Sequence, residues 1–371
     1  ESRHSLGSRQ LMKNLRKEGF EVGRDKVTRL MDKLNLKVKQ RIAYKVTTMR
    51  KHSHSVADNI VEQQFNPSEV DGFCSYSVDK VPEYEIARLL GCDEVKFFSQ
   101  IPHGGGAACA PIMHAAMAVA SGVAKTVVVY RAMNERSWYR FGTGDYGFAS
   151  SPIFENVNYG YYMPHGFHTP ASWVGMFAQR YMHEYGATSE DFGRASVASR
   201  DFAATNPAAF FYEKPITLED HQTSKWICEP LRLLDCCQES DGAVAMVITS
   251  VDRAKTLKQK PVVIKAGAQG IAEGQQIMTS YYREDITGLP EMGIVAKELY
   301  AQSGLGPDDF QTAVIYDHFT PFVLPQLEEF GFAERGKAKD FIRAGHHERG
   351  GKLPINTHGG QLGEAYIHGM N

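Results

Sequence analysis

Short apolar runs alternate with helix-forming stretches along most of this sequence, which restricts the folds open to it more than any other feature. Thr126-Val-Val-Val-Tyr130 has the length of a buried strand, and an alanine-rich helix opening at His103-Gly-Gly-Gly precedes it. A second series follows, with a strand from Pro261, a helix over 290–302, a strand over 312–316 and a helix after Pro321. Strands alternating with helices in two series predict a layered α/β fold in two halves.

The first 54 residues differ from the rest in charge. They hold 15 Lys and Arg against 5 Asp and Glu, a balance of +10, so the remaining residues sum to −12 for the net charge of −2. Two short amphipathic helices are predicted around Gly19. The second turns four basic residues outward: Arg24, Lys26, Arg29 and Lys33. This pattern fits a helix-turn-helix that contacts nucleic-acid phosphates or a solvated helical hairpin, and charge alone does not separate the two.

The composition is that of a globular enzyme, with 43% apolar and 23% charged residues among 371. No apolar run of about 18 residues and no apolar signal-peptide core are present, so we expect a cytoplasmic protein without a membrane span. Six cysteines lack paired spacing: Cys74, Cys92, Cys109, Cys228, Cys236 and Cys237. This favours reduced thiols over a disulfide framework or a zinc site, and no metal site is predicted.

Residues 350–371 are rich in glycine and include the titratable side chains of His358, Tyr366 and His368. Glycine permits tight turns and close ligand approach, so this stretch predicts an active-site loop, with simple surface turns as the alternative. The glycine turn after His103 leads into a helix N-terminus, which is in principle an anion or oxyanion site.

The basic block resembles the helix-turn-helix region of IS3-family insertion-sequence transposases. The matching motifs are Leu6-Gly-Ser-Arg-Gln-Leu, Val22-Gly-Arg-Asp-Lys-Val, His54-Ser-Val-Ala-Asp-Asn and Gln64-Phe-Asn-Pro. The resemblance stops near Pro67, and the acidic catalytic core of that family does not follow. It implies a helix-turn-helix fragment over residues 1–54 and a junction over 55–68, with at most weak, nonspecific DNA binding.

From residue 69 the sequence resembles the thiolase superfamily, and within it the thiolase-like lipid-transfer proteins that include retro-aldolases of bacterial steroid side-chain degradation. The matching motifs are Val70-Asp-Gly, His103-Gly-Gly-Gly-Ala-Ala-Cys-Ala, Tyr130-Arg-Ala-Met-Asn-Glu-Arg-Ser, Asn206-Pro, Asp235-Cys-Cys, Asp241-Gly-Ala-Val-Ala, Tyr316-Asp-His-Phe and Gly350 through Asn371. The resemblance implies an N-terminal half over 69–255 and a C-terminal half over 256–371, with a bacterial origin.

Thiolases use a nucleophilic cysteine at a helix N-terminus, and the corresponding position here falls at or next to Gly105. No thiol is there. Cys109 lies about one turn further on, and we expect it to serve packing rather than catalysis. The resemblance therefore argues against thiolysis and against condensation through an acyl-enzyme.

Two tyrosines stand at two thiolase catalytic positions, Tyr316 and Tyr366. The resemblance to the retro-aldolases implies cleavage of a β-hydroxyacyl-CoA, which needs a base, an acid and donors for the enolate but no covalent nucleophile. We assign Tyr316 as base and Tyr366 as acid, with the reverse assignment open. The residues expected to tune them are His358, Asp317 and His318.

The resemblance also implies the rest of the site. Gly105, Gly106, Gly359 and Gly360 are the oxyanion and substrate-binding candidates, and Arg131 and Arg136 either meet CoA phosphates or form structural ion pairs. A CoA thioester is the expected substrate, no covalent cofactor is expected, and the expected partners are a second copy of the chain and a protein carrying an OB fold and a zinc ribbon. A lipid carrier without turnover and a nonspecific DNA-binding remnant are the alternative functions.

The family pattern begins with a strand, a loop and a helix ahead of Val70-Asp-Gly, and it continues past the closing His-Gly-Met-Asn. Both ends are missing from this sequence, so we expect an incomplete fold and an impaired enzyme. A gene recombined with an insertion element, joined near Asn66 to Glu69, is the simplest expected origin.

Overall fold

A computed structural model describes residues 8–34, 67–76, 79, 81–138, 140–143, 160–276 and 278–370. The chain divides into two compact units, Glu1–Asp58 and Asn59–Asn371, and each is described by itself. Within the described residues, no helix combines the length and the apolar character that crossing a membrane requires.

The first unit contains two helices, α1 (Ser8–Lys17) and α2 (Arg24–Lys33). Gly19 takes a φ of 89° in the turn after α1, a conformation that glycine adopts without penalty. Val27 is the buried side chain of α2, and the four basic residues expected on its outer face are exposed: Arg24, Lys26, Arg29 and Lys33. Both predicted helices are confirmed, while residues 35–54 of the predicted fragment lie outside the described part of the chain.

A four-stranded sheet organises the second unit. Its strands are β1 (Gly72–Tyr76), β2 (Phe97–Ile101), β3 (Thr126–Asn134) and β6 (Asp241–Thr249), and a separate antiparallel pair is formed by β4 (Trp226–Cys228) and β5 (Leu231–Arg232). The order is β2-β1-β3-β6. The first three strands are parallel, and β6 runs antiparallel to β3 with Asn134 opposite Asp241. The register brings the end of β3 beside the start of β6.

Helices cover the sheet and form a second core. They are α3 (Glu83–Leu90), α4 (Ala110–Ala120), α5 (Pro170–Tyr185), α6 (Ser189–Ala204), α7 (Leu218–Thr223), α8 (Val251–Ala254), α9 (Pro290–Ser303), α10 (Val323–Glu329), α11 (Ala338–Arg343) and α12 (Gly360–Gly363). The alanines of α4 pack with the inner residues of β1 and β3 in one apolar cluster. Val174 and Phe177 of α5 pack with Leu324 and Leu327 of α10 in another.

The motif Val70-Asp-Gly fixes the start of the sheet. The Asp71 carboxylate accepts the backbone N–H groups of Lys125 at 2.8 Å and Thr126 at 2.9 Å, at the point where β3 begins. A buried carboxylate that accepts backbone donors satisfies groups which would otherwise remain unpaired at a strand end. The motif thus positions β3, whose far end enters the site described below.

The two strands predicted in the second half are not formed, which corrects that part of the sequence interpretation. Residues 261–270 have no assigned strand, and Val262 is 93% exposed. Residues 312–316 pair only at Ala313, which forms an isolated bridge with Ile355. Beyond Ala313, the side chain of Asn356 takes the place of a neighbouring strand. Its amide oxygen accepts the N–H of Ile315 at 2.8 Å, and its amide nitrogen donates to the carbonyl of Ile315 at 2.9 Å. The helices predicted at 290–302 and after Pro321 are confirmed as α9 and α10.

Candidate active site

The two tyrosine-bearing loops are joined by the segment that precedes β6. The N–H of Cys237 donates to the carbonyl of His318 at 2.9 Å, and the N–H of Tyr366 donates to the carbonyl of Gln238 at 2.9 Å. The hydroxyl groups of Tyr316 and Tyr366 then meet at 2.8 Å. Backbone hydrogen bonds of a third segment therefore bring together two phenols that lie 50 positions apart in the sequence.

Both phenols are held in the protonated state. Burial raises the pKa of Tyr316 and of Tyr366 well above the ordinary value of 10. The hydrogen bond between them opposes this rise in the pKa of Tyr316, whereas the neighbouring Tyr316 adds to the rise in the pKa of Tyr366. Each phenol therefore keeps its proton in the folded chain.

Gly105 leaves room for the tyrosine pair. A Cβ at this position would overlap the hydroxyl oxygen of Tyr316 and lie 2.9 Å from the carbonyl oxygen of His368. No side chain fits there without moving Tyr316, so the phenol occupies the volume that a cysteine would need. Cys109 precedes α4 and is exposed, so the packing role expected for it is wrong.

His368 ties the glycine turn to β3, and the sequence interpretation gave it no role. Its Nε2 accepts the N–H of Gly105 at 3.1 Å, and its Nδ1 contacts the guanidinium of Arg131. Arg131 also donates to the carbonyl of Tyr76 at 2.9 Å and lies 4.4 Å from the centroid of that ring. Burial, with Arg131 and His318 adding to it, holds the pKa of His368 well below 6.5, so the imidazole is neutral.

The two arginines expected to meet CoA phosphates lie in different environments. Arg131 is 0% exposed and points at His368, which favours the structural alternative for it over a phosphate contact. Arg136 is exposed and lies 6.0 Å from the ring centroid of Phe210. Its phosphate contact stays a prediction.

His318 cannot act as a cation beside the tyrosines. Its ring stacks on that of Tyr316, with centroids 4.1 Å apart and planes at 17°, and on Phe322 at 5.2 Å. Burial lowers the pKa of His318 to about 3. A neutral imidazole packs against the phenol but supplies no positive charge to a phenolate, so its part in tuning is limited to packing and burial.

Asp317 anchors the glycine loop. Its Oδ1 accepts the N–H of Gln361 at 2.7 Å and its Oδ2 accepts the hydroxyl of Ser199 at 3.2 Å. A Cβ at Gly360 would overlap this carboxylate, and Gly360 has a φ of 63°. Burial raises the pKa of Asp317 to about 6, against the opposing effects of the Gln361 N–H and of His358. Asp317 thus acts on the site through the loop that carries Tyr366.

His358 lies beside this anchor. Its Nε2 is 3.8 Å from a carboxylate oxygen of Glu364, and its carbonyl accepts from the side chain of Asn206 at 2.9 Å. Its charge lowers the pKa of Asp317. The tuning role expected for His358 therefore stays a prediction, with Asp317 as the group through which it would act.

The four glycines expected to supply oxyanion donors differ in how their amides are used. The N–H of Gly105 donates to His368 at 3.1 Å and that of Gly359 donates to the carbonyl of Asn356 at 2.8 Å. Both of these amides would have to exchange a protein partner for a substrate oxygen. The oxyanion roles of Gly105, Gly106, Gly359 and Gly360 stay predictions.

Glu135 and Cys237 enter the same interior, and sequence reasoning missed both. Glu135 follows β3, is 0% exposed, and has no hydrogen-bond partner on either carboxylate oxygen among the described residues. Burial raises its pKa to about 9, and the charge of Glu239 adds to the rise. The Cys237 thiol also has its pKa raised by burial, with Glu135 adding to the effect. The available signal for Glu135 was a carboxylate directly after an apolar strand.

The fold and this site define a thiolase-like protein. The model of the family described as "Thiolase C-terminal domain-like" matches residues 272–370. A solved "monomeric SCP2-thiolase like protein type 1" from Mycobacterium smegmatis has a TM-score of 0.59 over 82% of this chain and 61% of its own, with 18% identity, which shows the fold alone.

Closer relatives define the family within that class. A "steroid side-chain-cleaving aldolase" from Thermomonospora curvata is 59% identical over 312 residues, covering 84% of this chain and 80% of the relative. A "17-hydroxy-3-oxo-4-pregnene-20-carboxyl-CoA lyase" from Mycobacterium tuberculosis is 58% identical over 323 residues, covering 87% and 84%. The chain therefore belongs to the steroid side-chain-cleaving aldolases of the thiolase superfamily, and the membership expected from its motifs is confirmed.

Two further similarities bear on the remaining expectations. A solved chain titled "Ltp2-ChsH2(DUF35) aldolase" has a TM-score of 0.78 and 58% identity, covering 83% of this chain and 78% of its own. The model of a family described as "HTH-like domain" matches residues 1–44. The expected helix-turn-helix segment is thereby confirmed.

The close approach of Gly105 to the tyrosine pair generates a stability prediction. Gly105→Ala should lower the free energy of unfolding by about 1–3 kcal/mol, because the added Cβ overlaps the Tyr316 hydroxyl. Gly106→Ala is the matched control, since its Cβ would lie 3.9 Å from the Tyr316 ring, an ordinary van der Waals distance. Urea unfolding measures both variants, and equal destabilisation of the two would contradict the proposed fit.

The buried carboxyl of Glu135 generates a prediction on pH and stability. Its pKa is about 9 in the folded chain against an ordinary value of 4.5, so between these values the folded chain keeps a proton that the unfolded chain has released. Wild-type stability therefore falls as pH rises across this window, by up to about 1.4 kcal/mol per pH unit. Glu135→Gln carries no such proton.

Melting curves of wild type and Glu135→Gln at several pH values between the ordinary pKa of 4.5 and the folded-state pKa of about 9 measure this difference. The variant should become progressively more stable than wild type as pH rises. Glu94→Gln, which removes one carboxylate from an exposed position, is the control for the change in net charge. Parallel curves for wild type and Glu135→Gln would rule out a protonated Glu135.

Proposed function

We propose that this chain catalyses retro-aldol cleavage of a carbon–carbon bond in a β-hydroxyacyl-CoA, with a steroid side-chain CoA thioester as substrate. The observation that carries the proposal is the 2.8 Å hydrogen bond between the Tyr316 and Tyr366 hydroxyls beside a glycine where a thiolase has its cysteine. The compound in the name of the Mycobacterium tuberculosis relative, a 17-hydroxy steroid CoA thioester, is the substrate to test first.

The tyrosine pair passes one proton from the substrate hydroxyl to the substrate carbon. The β-hydroxyl gives its proton to the oxygen of Tyr316, the hydroxyl oxygen becomes a carbonyl, and the breaking bond leaves its electron pair on the thioester enolate. Tyr366 gives a proton to the α-carbon, while the proton of Tyr316 moves along the hydrogen bond to Tyr366. Both phenols finish neutral, so the step needs no standing phenolate.

The relay suits a pair whose pKa values are both raised by burial. A free phenolate base would require deprotonating a phenol that the interior keeps protonated. Tyr316 is placed as the base and Tyr366 as the acid, as the family resemblance suggests. In the reverse assignment, Tyr366 would accept the proton of the β-hydroxyl and Tyr316 would donate a proton to the α-carbon.

The partners remain proposals supported by different observations. The solved Ltp2-ChsH2(DUF35) aldolase supports a DUF35-type partner protein for this chain. A homodimer and an OB-fold and zinc-ribbon architecture in the partner rest on family resemblance. Arg136 is the described candidate for a CoA phosphate, since it is exposed near the end of β3.

Replacing each phenol tests the proposal. Tyr316→Phe and Tyr366→Phe should each lower kcat by about 10²–10⁴-fold, because each removes one proton-transfer group. The assay follows steroid ketone release from the 17-hydroxy CoA thioester by the full chain with the DUF35 partner. Tyr300→Phe is the matched control, since its hydroxyl donates to the carbonyl of Phe330 at 2.5 Å in the packing of α9.

Near-wild-type turnover in both Tyr316→Phe and Tyr366→Phe would contradict the proposed proton relay. Substrate binding without turnover in the wild-type chain would instead support the alternative of an acyl or sterol carrier. Binding is measured separately by the quenching of intrinsic fluorescence on titration with the CoA thioester.

The first unit supports a second candidate function, nonspecific DNA binding. The match to an HTH-like domain over residues 1–44 and the exposure of its basic side chains favour it.

Replacing Arg24, Lys26, Arg29 and Lys33 by Gln should weaken duplex binding and reduce the slope of log K against log salt by about 0.9 for each phosphate that the variant no longer neutralises. The control replaces four exposed basic residues of the second unit: Arg88, Lys255, Lys337 and Lys352. An equal effect of both sets would contradict a DNA site on α2.

A further inference from the structure

A carboxyl group with no partner lies in the interior beside the tyrosine pair. Glu135 is 0% exposed, and both of its carboxylate oxygens lack a hydrogen-bond partner within the part of the chain that the structure describes. An ionised carboxylate in that position would be buried and would accept no hydrogen bond, and the attraction of Arg131 and Arg140 does not offset the cost of burial, so the group stays protonated. Two unsatisfied polar atoms at the centre of a site call for a functional explanation.

The backbone places Glu135 in this position. It directly follows β3, whose last residue, Asn134, pairs with Asp241 at the start of β6. The segment before β6 is the one that holds both tyrosine loops through backbone hydrogen bonds. Glu135 thus extends from the sheet edge that assembles the tyrosine pair.

Charged and titratable groups face Glu135 from every element around it. The sheet contributes Tyr76 from β1, Arg131 from β3 and Asp241 from β6. The segments that flank the sheet contribute Arg140 after β3, and Cys237 and Glu239 before β6. The two loops contribute Tyr316 and Tyr366. Glu239 itself pairs with Arg140 at 2.8 Å and accepts the N–H of Gly142 at 2.9 Å. Arg131 is turned to Tyr76 and His368.

We infer that Glu135 is a positioning residue that must be protonated for the tyrosine pair to pass its proton, so that ionisation of this one carboxyl turns the relay off. The inference rests on the proposed function. In the retro-aldol step negative charge develops on the thioester enolate and on the oxygen of the phenol that donates its proton to the α-carbon. A neutral Glu135 leaves that charge unopposed, and an ionised Glu135 repels it.

The sign of the effect is the same for either order of the tyrosines. A negative charge on Glu135 raises the pKa of both Tyr316 and Tyr366, so it disfavours charge on either oxygen. Activity should therefore fall as pH rises through the pKa of Glu135, about 9. Both phenols titrate at still higher pH and do not produce this fall.

The test is the pH profile of kcat/KM for the full chain with the DUF35 partner and the 17-hydroxy steroid CoA thioester. Above the pKa of Glu135, the kcat/KM of the wild type should fall about tenfold per pH unit. Glu135→Gln keeps the shape of the side chain but cannot ionise, so its profile should stay flat there.

A second variant keeps the inference testable where Glu135→Gln does not fold, as judged by circular dichroism. The charge of Glu239 raises the pKa of Glu135, so Glu239→Gln should move the alkaline fall to lower pH without abolishing it. An unmoved fall in Glu239→Gln, or an alkaline fall retained by folded Glu135→Gln, overturns the inference. So does a folded Glu135→Gln that is inactive at neutral pH, since the carboxyl would then supply a proton itself.

Failure of the proposed function gives a different result. A wild-type chain that shows no cleavage at any pH, with binding intact, refutes the aldolase proposal and the inference together. A wild-type chain that cleaves the substrate, with any of the overturning results above, refutes the inference alone.

Discussion

The hydrogen bond between Tyr316 and Tyr366 is the interaction on which the rest of the site depends. It forms only because the segment before β6 binds both loops through their backbones and because position 105 has no side chain. Asp317 stabilises this arrangement, because its carboxylate accepts the N–H of Gln361 at 2.7 Å in the short helix that leads to Tyr366. A change in any one of these three supports moves a phenol.

Burial decides the charge state of nearly every group around this hydrogen bond. It lowers the pKa of His318 to about 3, raises that of Glu135 to about 9, and keeps both phenols protonated. At neutral pH the interior therefore holds a protonated Glu135, two neutral phenols and two neutral imidazoles, while Asp317, whose pKa is about 6, is largely ionised. A site of this kind is suited to passing a proton between neutral partners, and it is poorly suited to sustaining a thiolate nucleophile.

The family shares its fold with thiolases but reaches different chemistry through a small number of positions. At Gly105 the side chain is absent, and the hydroxyl of Tyr316 fills the space that it would have occupied. A cysteine and this tyrosine cannot both be accommodated, so loss of the nucleophile and gain of the phenol are two parts of one steric change.

The sequence by itself determined the class of fold, the helices, and the three positions that meet at the candidate site. Gly105, Tyr316 and Tyr366 could be found because each stands in a local motif, and helices such as α9 and α10 because their signals are local too. The strands at 261 and 312 were predicted from apolar character but did not form, because a strand exists only where a neighbour completes its ladder. In the second of them, the side chain of Asn356 pairs with the backbone of Ile315 in place of a neighbouring strand. Glu135 and His368 stand within motifs found in the sequence, but no local pattern marks either as an enclosed neutral group. Their importance comes from being enclosed by residues far away in the chain, and burial, which sets their protonation, is decided only by the tertiary structure.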